Sequence, residues 1–376
     1  MTIRSSGALP ASEINTELGL SSTAQIAIGG AVPRALAVVA SGPIAFSNFY
    51  GKSNGPTAKA LAIGWHNTWY TTNGTTWTAG SYASGLNYVN PSQPYQWQVS
   101  YYGGGKYMAA TSGSFPNTKL MSSTDGVTWA SSGTSPINAN FNCGAYGAGT
   151  HVFLSSQGGA NMITSTDAVN WTSRTLSGAS WSHMKFANGI FIATGSSTTI
   201  GKSTNGTTWS TATYSRTRGP SEYGNGMWLQ LGPGAGSPNW GKAYYYTSTD
   251  NGSSWAERMG PYQQDRNGYE SPGGFGGVMY GNSKWVMFSG PYQSAYSSDG
   301  INWTTFMLPV GNWNYGTYSS ALGLFIVIGA AGTTTLSGTV YQNNRCVTSP
   351  DGVNWTARTL SGTTVNGLGP FSVSSV

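Results

Sequence analysis

Short apolar runs alternate with Gly-rich and Ser/Thr-rich polar stretches along most of this chain, and they come in pairs. YYGGGKYMAAT, AYGAGTHVFLSS, KFANGIFIATG, EYGNGMWLQLG, MYGNSKWVMFSG and YSSALGLFIVIGA each place one run before a tight turn and one after it. Gly occupies most of the turn positions, so each phrase predicts two antiparallel strands joined as a hairpin. A second phrase recurs between these: TTNGTTW, STDGVTW, STDAVNW, STNGTTW, STDNGSSW, SSDGINW and SPDGVNW. A polar strand enters an Asp- or Asn-centred turn and leaves through a tryptophan. The turn side chain can accept hydrogen bonds from amides of its own turn, and the indole supplies apolar surface that one repeat alone cannot bury.

The recurring tryptophans are Trp77, Trp129, Trp171, Trp209, Trp255, Trp303 and Trp355, separated by 52, 42, 38, 46, 48 and 52 residues. A period in this range predicts a propeller or a solenoid. Each repeat holds four strands: an inner one, a second after the hairpin turn, a third entering the Asp or Asn turn, and an outer one carrying the tryptophan. The prediction is an all-β chain whose residues 58–376 form a seven-bladed β-propeller of four-stranded antiparallel blades. The first copy (KALAIGW, TWYTTNG, TTWTAG) has no inner strand before it, while TTVNGLGPFSVSS at the C-terminus is an inner strand without a blade. Placing that last strand in the first blade seals the ring and removes exposed sheet edges.

Charged residues make up 7% of the chain, against roughly 25% in an average soluble protein. Solubility then falls to Ser, Thr, Asn, Gln and Gly, which suits strands and turns better than helices. The formal charge of +6 comes from 17 basic residues spread over the whole length. No Lys/Arg run forms a nucleic-acid or membrane patch, so neither partner is expected. Apolar runs such as LFIVIGAA fall far short of the ~20 residues that span a bilayer. The opening MTIRSSGALPASE lacks the basic-then-apolar pattern of a secretory signal, which predicts cytoplasmic synthesis. Cys143 and Cys346 lie in different repeats without metal-ligand spacing and are expected as two reduced thiols; no metal or cofactor is predicted.

Asp125, Asp167, Asp250, Asp299 and Asp351 occupy the same place in successive repeats. One role repeated around a ring points to turn formation rather than catalysis, as it does for the seven tryptophans. Arg174, Arg258 and Arg358, each three residues after its tryptophan, are expected to decorate outer strands. These S-x-D-x-G-x-x-W phrases, complete in STDNGSSW and one residue shorter elsewhere, are similar to the Asp-box of sialidases and other Asp-box propellers. There the motif sits between the third and fourth strands.

Residues 1–57 stand outside the repeat. SEINTELGL and AVPRALAVVAS read as short helices, with Ser12 capping the first, Gly19 ending it and Pro33 accepted in the first turn of the second. Residues 53–57 read as a polar linker. The stretch from SEINTELG to the closing FYGKS resembles the N-terminal region of many tail fibre and receptor-binding proteins of tailed bacteriophages. The resemblance implies that residues 1–52 attach the protein to tail or baseplate proteins of a virion, in one or several copies. The alternative is that the segment caps its own propeller.

Connections between second and third strands, and from one blade to the next, vary in length and share one face of the ring. Variable loops on a rigid scaffold are where recognition resides. They carry Tyr88, Tyr95, Trp240, Tyr262, Tyr269, Tyr292 and Trp313 among Asn, Gln, Ser and Gly, with Arg266 and Glu270 nearby. Aromatic rings beside amides and hydroxyls suit the apolar faces and hydroxyl edges of a sugar. Loops near 232–243, 257–274 and 289–294, from the fifth and sixth blades, are expected to adjoin and form the main patch. The expected function is a phage tail fibre or tail-tip adhesin whose variable face binds a host-surface glycan or outer-membrane protein. No catalytic residues are assigned: outside the turns the propeller has only Glu222, Glu257, Asp265 and Glu270 as carboxylates, and His66, His151 and His183 lie in different repeats. A sialidase-like propeller glycosidase and a purely structural tail-tip protein stay open beside the adhesin.

Overall fold

In a computed structural model the chain divides into two compact units, Met1–Thr57 and Ala58–Val376. The structure describes residues 58–64, 68–80, 96–112, 119–155, 161–178, 180–195, 198–216, 219–235, 239–265, 268, 270, 274–290, 292–330, 333–336, 339–342, 346–360 and 370–375, with 13–15, 18 and 37 of the first unit. In that unit residues 13–15 are helical and the Leu18 amide donates to the Ile14 carbonyl at 3.0 Å, within the first helix predicted from sequence. Ala37, inside the second, is helical as well. The rest of the expected attachment segment and linker lies outside the described residues.

The second unit is a seven-bladed β-propeller. Seven four-stranded antiparallel sheets follow one another along the chain, six of them ordered in sequence from inner to outer strand and the first taking its inner strand from the C-terminus. The inner strands are Gln96–Gly103, Phe141–Gly147, Trp181–Ala187, Ser221–Gly224, Gly277–Gly281, Asn312–Ser319 and Pro370–Ser375, and each neighbours the next around a central channel. Pro370–Ser375 pairs antiparallel with Ala60–Gly64, setting Ala60 opposite Ser375 and Ile63 opposite Ser372. The C-terminal strand thus supplies the missing inner strand of the first blade, and no sheet edge is left open where the ends of the ring meet. The Ser375 hydroxyl donates to the Tyr318 carbonyl of the seventh blade at 3.0 Å, which ties the junction on its other side.

Hairpin turns between first and second strands follow from the local sequence. Asn188 and Gly189 sit at φ 48° and 77°, the paired left-handed conformations of a two-residue turn matched to strand twist. Asn225–Gly226 repeats the geometry. In the seventh blade the connection between the second and third strands, expected as a variable loop, contains a further strand pair. Thr333–Leu336 pairs antiparallel with Thr339–Gln342.

The core lies between blades rather than within them. Val99, Met108 and Leu120 of the second blade bury against Phe141, Phe153 and Ile163 of the third, and the same arrangement recurs around the ring. Each recurring tryptophan packs backwards onto the preceding blade: Trp129 onto the first, Trp171 onto the second, Trp209 onto the third, Trp303 onto the fifth. Trp77 of the first blade closes the circle against Ile326 and Ile328 of the seventh. Trp77 and Trp129 are fully buried, while Trp171, Trp209, Trp255, Trp303 and Trp355 keep an exposed edge. Cys143 and Cys346 are buried free thiols in the third and seventh blades, and burial pushes the Cys346 thiol up to about 12.

Candidate functional site

The Asp and Asn turns are local frameworks. Asp299 Oδ1 accepts the Ser297 hydroxyl and the amides of Ile301 and Asn302, each at 2.8 Å, while the Gly300 amide donates back to Ser297 Oγ at 2.8 Å. Asp125, Asp167, Asp250 and Asp351 accept the same set. Asn73 and Asn205 do so through the amide oxygen. Amides of Asn170 and Val169 hold the Asp167 carboxyl well below the usual carboxylate range, and Asn302 and Ile301 do the same at Asp299. Carboxylates occupied in this way stabilise turns. The three arginines are also structural: Nε of Arg174, Arg258 and Arg358 donates across to Thr164, Thr247 and Thr348 at 2.8, 2.9 and 2.9 Å.

In antiparallel blades the hairpin and Asp/Asn turns share one face, and the variable connections share the other. On that second face three loops of the fifth and sixth blades are laced together. The Gln263 amide donates to the Gly241 carbonyl at 2.6 Å, and Gly260 donates to Ala243 at 2.8 Å. The Gln293 amide donates to the Gln264 carbonyl at 2.9 Å, and Gln263 Nε2 donates to the Gln293 carbonyl at 3.0 Å. Gln264 bridges Glu270 through the backbone, and the Tyr262 hydroxyl donates to the Glu270 carboxylate. The ring of Tyr262 lies over Gly241, whose φ of +82° favours glycine and where a Cβ would stand 2.8 Å from Tyr262 Cε2.

Trp240 projects from this framework at 53% exposure. It is the one strongly exposed tryptophan among the described residues. Lys242, two residues on, and Tyr292, on the laced loop of the sixth blade, are part-buried. The structure therefore brings Trp240, Tyr262, Glu270 and Tyr292 onto adjoining loops. Arg266, Tyr269, Tyr88 and Tyr95 lie outside the described residues. Gln263 and Gln293, which brace the patch, are residues the sequence reading passed over. Glutamine carries no pattern that separates a brace from a solvated side chain.

Trp313 belongs elsewhere. It is 2% exposed, packs with Met279, Phe288 and Leu308 between the sixth and seventh blades, and donates its Nε1–H to the Pro309 carbonyl at 3.0 Å. It starts an inner strand just before a bulge, as Phe141 and Trp181 do, and both of those are also buried. In all three strands the aromatic stands six positions before the strand end, a regularity the sequence held and its reading as a loop anchor missed.

Among the described residues no three His, Cys, Asp or Glu side chains converge as metal ligands. His151, with Tyr101 at 3.1 Å, and His183 sit in separate blades; burial lowers each to about 4.

No family model matches the chain, and a comparison with curated proteins returns no match. Among solved structures it is similar to YCF48 bound to D1 peptide, at 14% identity over 73% of this chain and 90% of that one, with a TM-score of 0.46. It is similar to YCF48 from Cyanidioschyzon merolae at 13% identity, covering 72% and 93%, with a TM-score of 0.46. The computationally designed Ika8 protein is similar at 9% identity over 81% of this chain and 98% of that one, with a TM-score of 0.45.

Proposed function

We propose that this protein is a receptor-binding adhesin of a tailed-phage particle, attached through residues 1–52 and binding a glycan on the host surface through the loops of the fifth and sixth blades. The observation that carries the reading is Trp240, a large apolar ring held in solvent on loops that are fixed by main-chain and glutamine hydrogen bonds. A rigid exposed aromatic loses little entropy on binding and offers a stacking surface to a sugar ring, while Glu270, Gln264 and Gln293 supply polar groups on the adjoining loops. The resemblance of SEINTELG…FYGKS to phage attachment regions supports the virion location. Host cells incubated with labelled protein test it: binding to susceptible cells, lost on receptor-less resistant mutants and weakened by Trp240→Ala, is expected. Equal binding to both cell types would rule it out.

A second reading rests on the Tyr262–Glu270 hydrogen bond, since a carboxylate that takes a phenol proton is one component of a sialidase-like glycosidase. Sustained release of sugars from host envelope polysaccharide at low protein concentration, abolished by Tyr262→Phe, would favour it over the adhesin.

A further inference from the structure

The seam between the fourth and fifth blades differs from the others. Its buried apolar set among the described residues is Ile192, Ile200 and Trp228, whereas the seam between the third and fourth blades buries nine. Ala187, Ile190, Tyr214, Tyr223 and Trp255 pack against that set part-buried, and polar groups share the seam. Ser221 begins the inner strand of the fifth blade and stands opposite Gln230 of the second strand. Ser221 Oγ and both polar atoms of the Gln230 carboxamide are buried with no hydrogen-bond partner among the described residues, and Gln230 is 0% exposed. Buried polar atoms left this way are costly, and of the two residues Ser221 also borders the central channel while Gln230 lies behind it.

The same seam opens on the central channel, a cavity of 760 Å³, within the usual range for a small-molecule site of about 300–1,000 Å³. Ser182, His183 and Lys185 of the fourth blade line it beside Ser221 and Glu222 of the fifth. Lys185 Nζ meets Glu222 Oε2 at 2.9 Å, with the lysine 41% exposed and the glutamate 14% exposed. Glu222 Oε1 also accepts the Tyr223 amide at 2.9 Å, and Ser182 Oγ bonds His183 Nδ1 at 2.9 Å. Elsewhere the wall mixes hydroxyl and amide groups from Ser100, Asn142, Asn314, Thr317 and Ser374 with apolar side chains such as Val99, Phe186 and Val278.

We propose that the fourth–fifth blade wall of the channel is a second binding site, for a neutral saccharide unit, held by Lys185, Glu222, Ser182 and Ser221. The charge pair decides the ligand class. One cation and one anion already neutralise each other, so a charged ligand must break the pair and leave a partner unmatched. Neighbouring hydroxyls of a sugar can accept from the remaining Lys185 N–H donors and donate to Glu222 while the pair stays intact. A further hydroxyl reaching Ser221 would satisfy its Oγ.

Saturation-transfer NMR of the full-length protein with glucose, galactose, mannose, N-acetylglucosamine, maltose and cellobiose tests the site, with glutamate and N-acetylneuraminic acid as charged comparators. Binding of at least one neutral sugar is expected. Its affinity should fall tenfold or more in Glu222→Gln and Lys185→Met, fall measurably in the conservative Ser221→Ala, and stay unchanged in Trp240→Ala. Melting curves confirm that each variant is folded, and Ser221→Ala carries the test if removing one charge unfolds the blade. The proposal is overturned if no neutral sugar binds, if only the charged compounds bind, or if Trp240→Ala abolishes binding that Ser221→Ala and Glu222→Gln leave intact. Because the loop surface is read by cell binding and Trp240, either site can fail without the other.

Discussion

At the scale of single residues, exposure separates recognition from scaffold among side chains of the same type. Trp240→Ala and Tyr262→Ala should each weaken binding to susceptible cells by roughly 1–3 kcal/mol, as for aromatic anchors, with little change in melting temperature. Trp129→Ala should cost roughly 3–5 kcal/mol of stability, because the indole is buried between the first and second blades. Cell-binding titrations and thermal melts on the same preparations check the contrast, and a destabilised Trp240→Ala would mean the ring is structural. Two histidines, His151 buried and His183 part-buried on the channel wall, set a pH response. His151 and His183 are lowered from 6.5 to about 4 by burial, with Lys106 adding to the effect at His151. Below pH 6.5 the unfolded chain therefore takes up protons that the folded state refuses until near pH 4. Stability should be level above pH 7 for these groups and fall between about 6.5 and 4, by up to ~1.4 kcal/mol per pH unit for each histidine. Melts from pH 7.5 to 4.5, with His183→Asn showing a shallower slope, would reveal it; a flat profile in both proteins would refute it.

At the scale of the element, the repeated turn is an oxygen acceptor held at one point, a position that takes either a carboxylate or an amide. Asn73 and Asn205 make through one oxygen the bonds that Asp125 makes, whereas Asp167, Asp299 and Asp351 also accept an asparagine side chain, and Asp250 a serine hydroxyl, on the second oxygen. Asp125→Asn should therefore leave the melting temperature nearly unchanged at pH 7, while Asp125→Ala should lower it, since the amides of Val127 and Thr128 and the Ser123 hydroxyl lose their acceptor. Equal melting of the two variants would show that the carboxylate charge, rather than the acceptor geometry, matters. This element was legible in the sequence because it is local: Ser, Asp, Gly and Trp lie within a few residues of one another. The inner strand was less legible. Its opening aromatic recurs at Phe141, Trp181 and Trp313, yet whether such a ring turns inward depends on the bulge that follows it, and a bulge has no fixed sequence signature.

For the whole molecule, closure is the stabilising event. Removing residues 370–376 deletes the inner strand of the first blade and exposes the edge of Ala60–Gly64, so aggregation or a large fall in melting temperature is expected. Size-exclusion profiles and melts against the full chain decide it; a truncation that melts like the full chain would mean the ring does not depend on this strand. Deleting residues 1–52 should leave a cooperatively unfolding propeller that binds cells but is not incorporated into particles. Loss of cooperative unfolding would show that the first unit is needed for the fold of the second.

The repeat, the number of blades and the turn chemistry were determined by the sequence alone, because a period and a local hydrogen-bonding pattern are properties of neighbours along the chain. The closure of the first blade was also readable, as a count of inner strands that came out one short at one end and one over at the other. Tertiary structure decided what depends on residues far apart in sequence. It set which tryptophan faces solvent, separating Trp240 from Trp313, and which loops brace one another through Gln263, Gln264 and Gln293. It also brought Lys185 within 2.9 Å of Glu222 and left Ser221 and Gln230 buried in the same seam. Exposure and charge pairing are set by the packing of whole blades, and no spacing within one repeat encodes them.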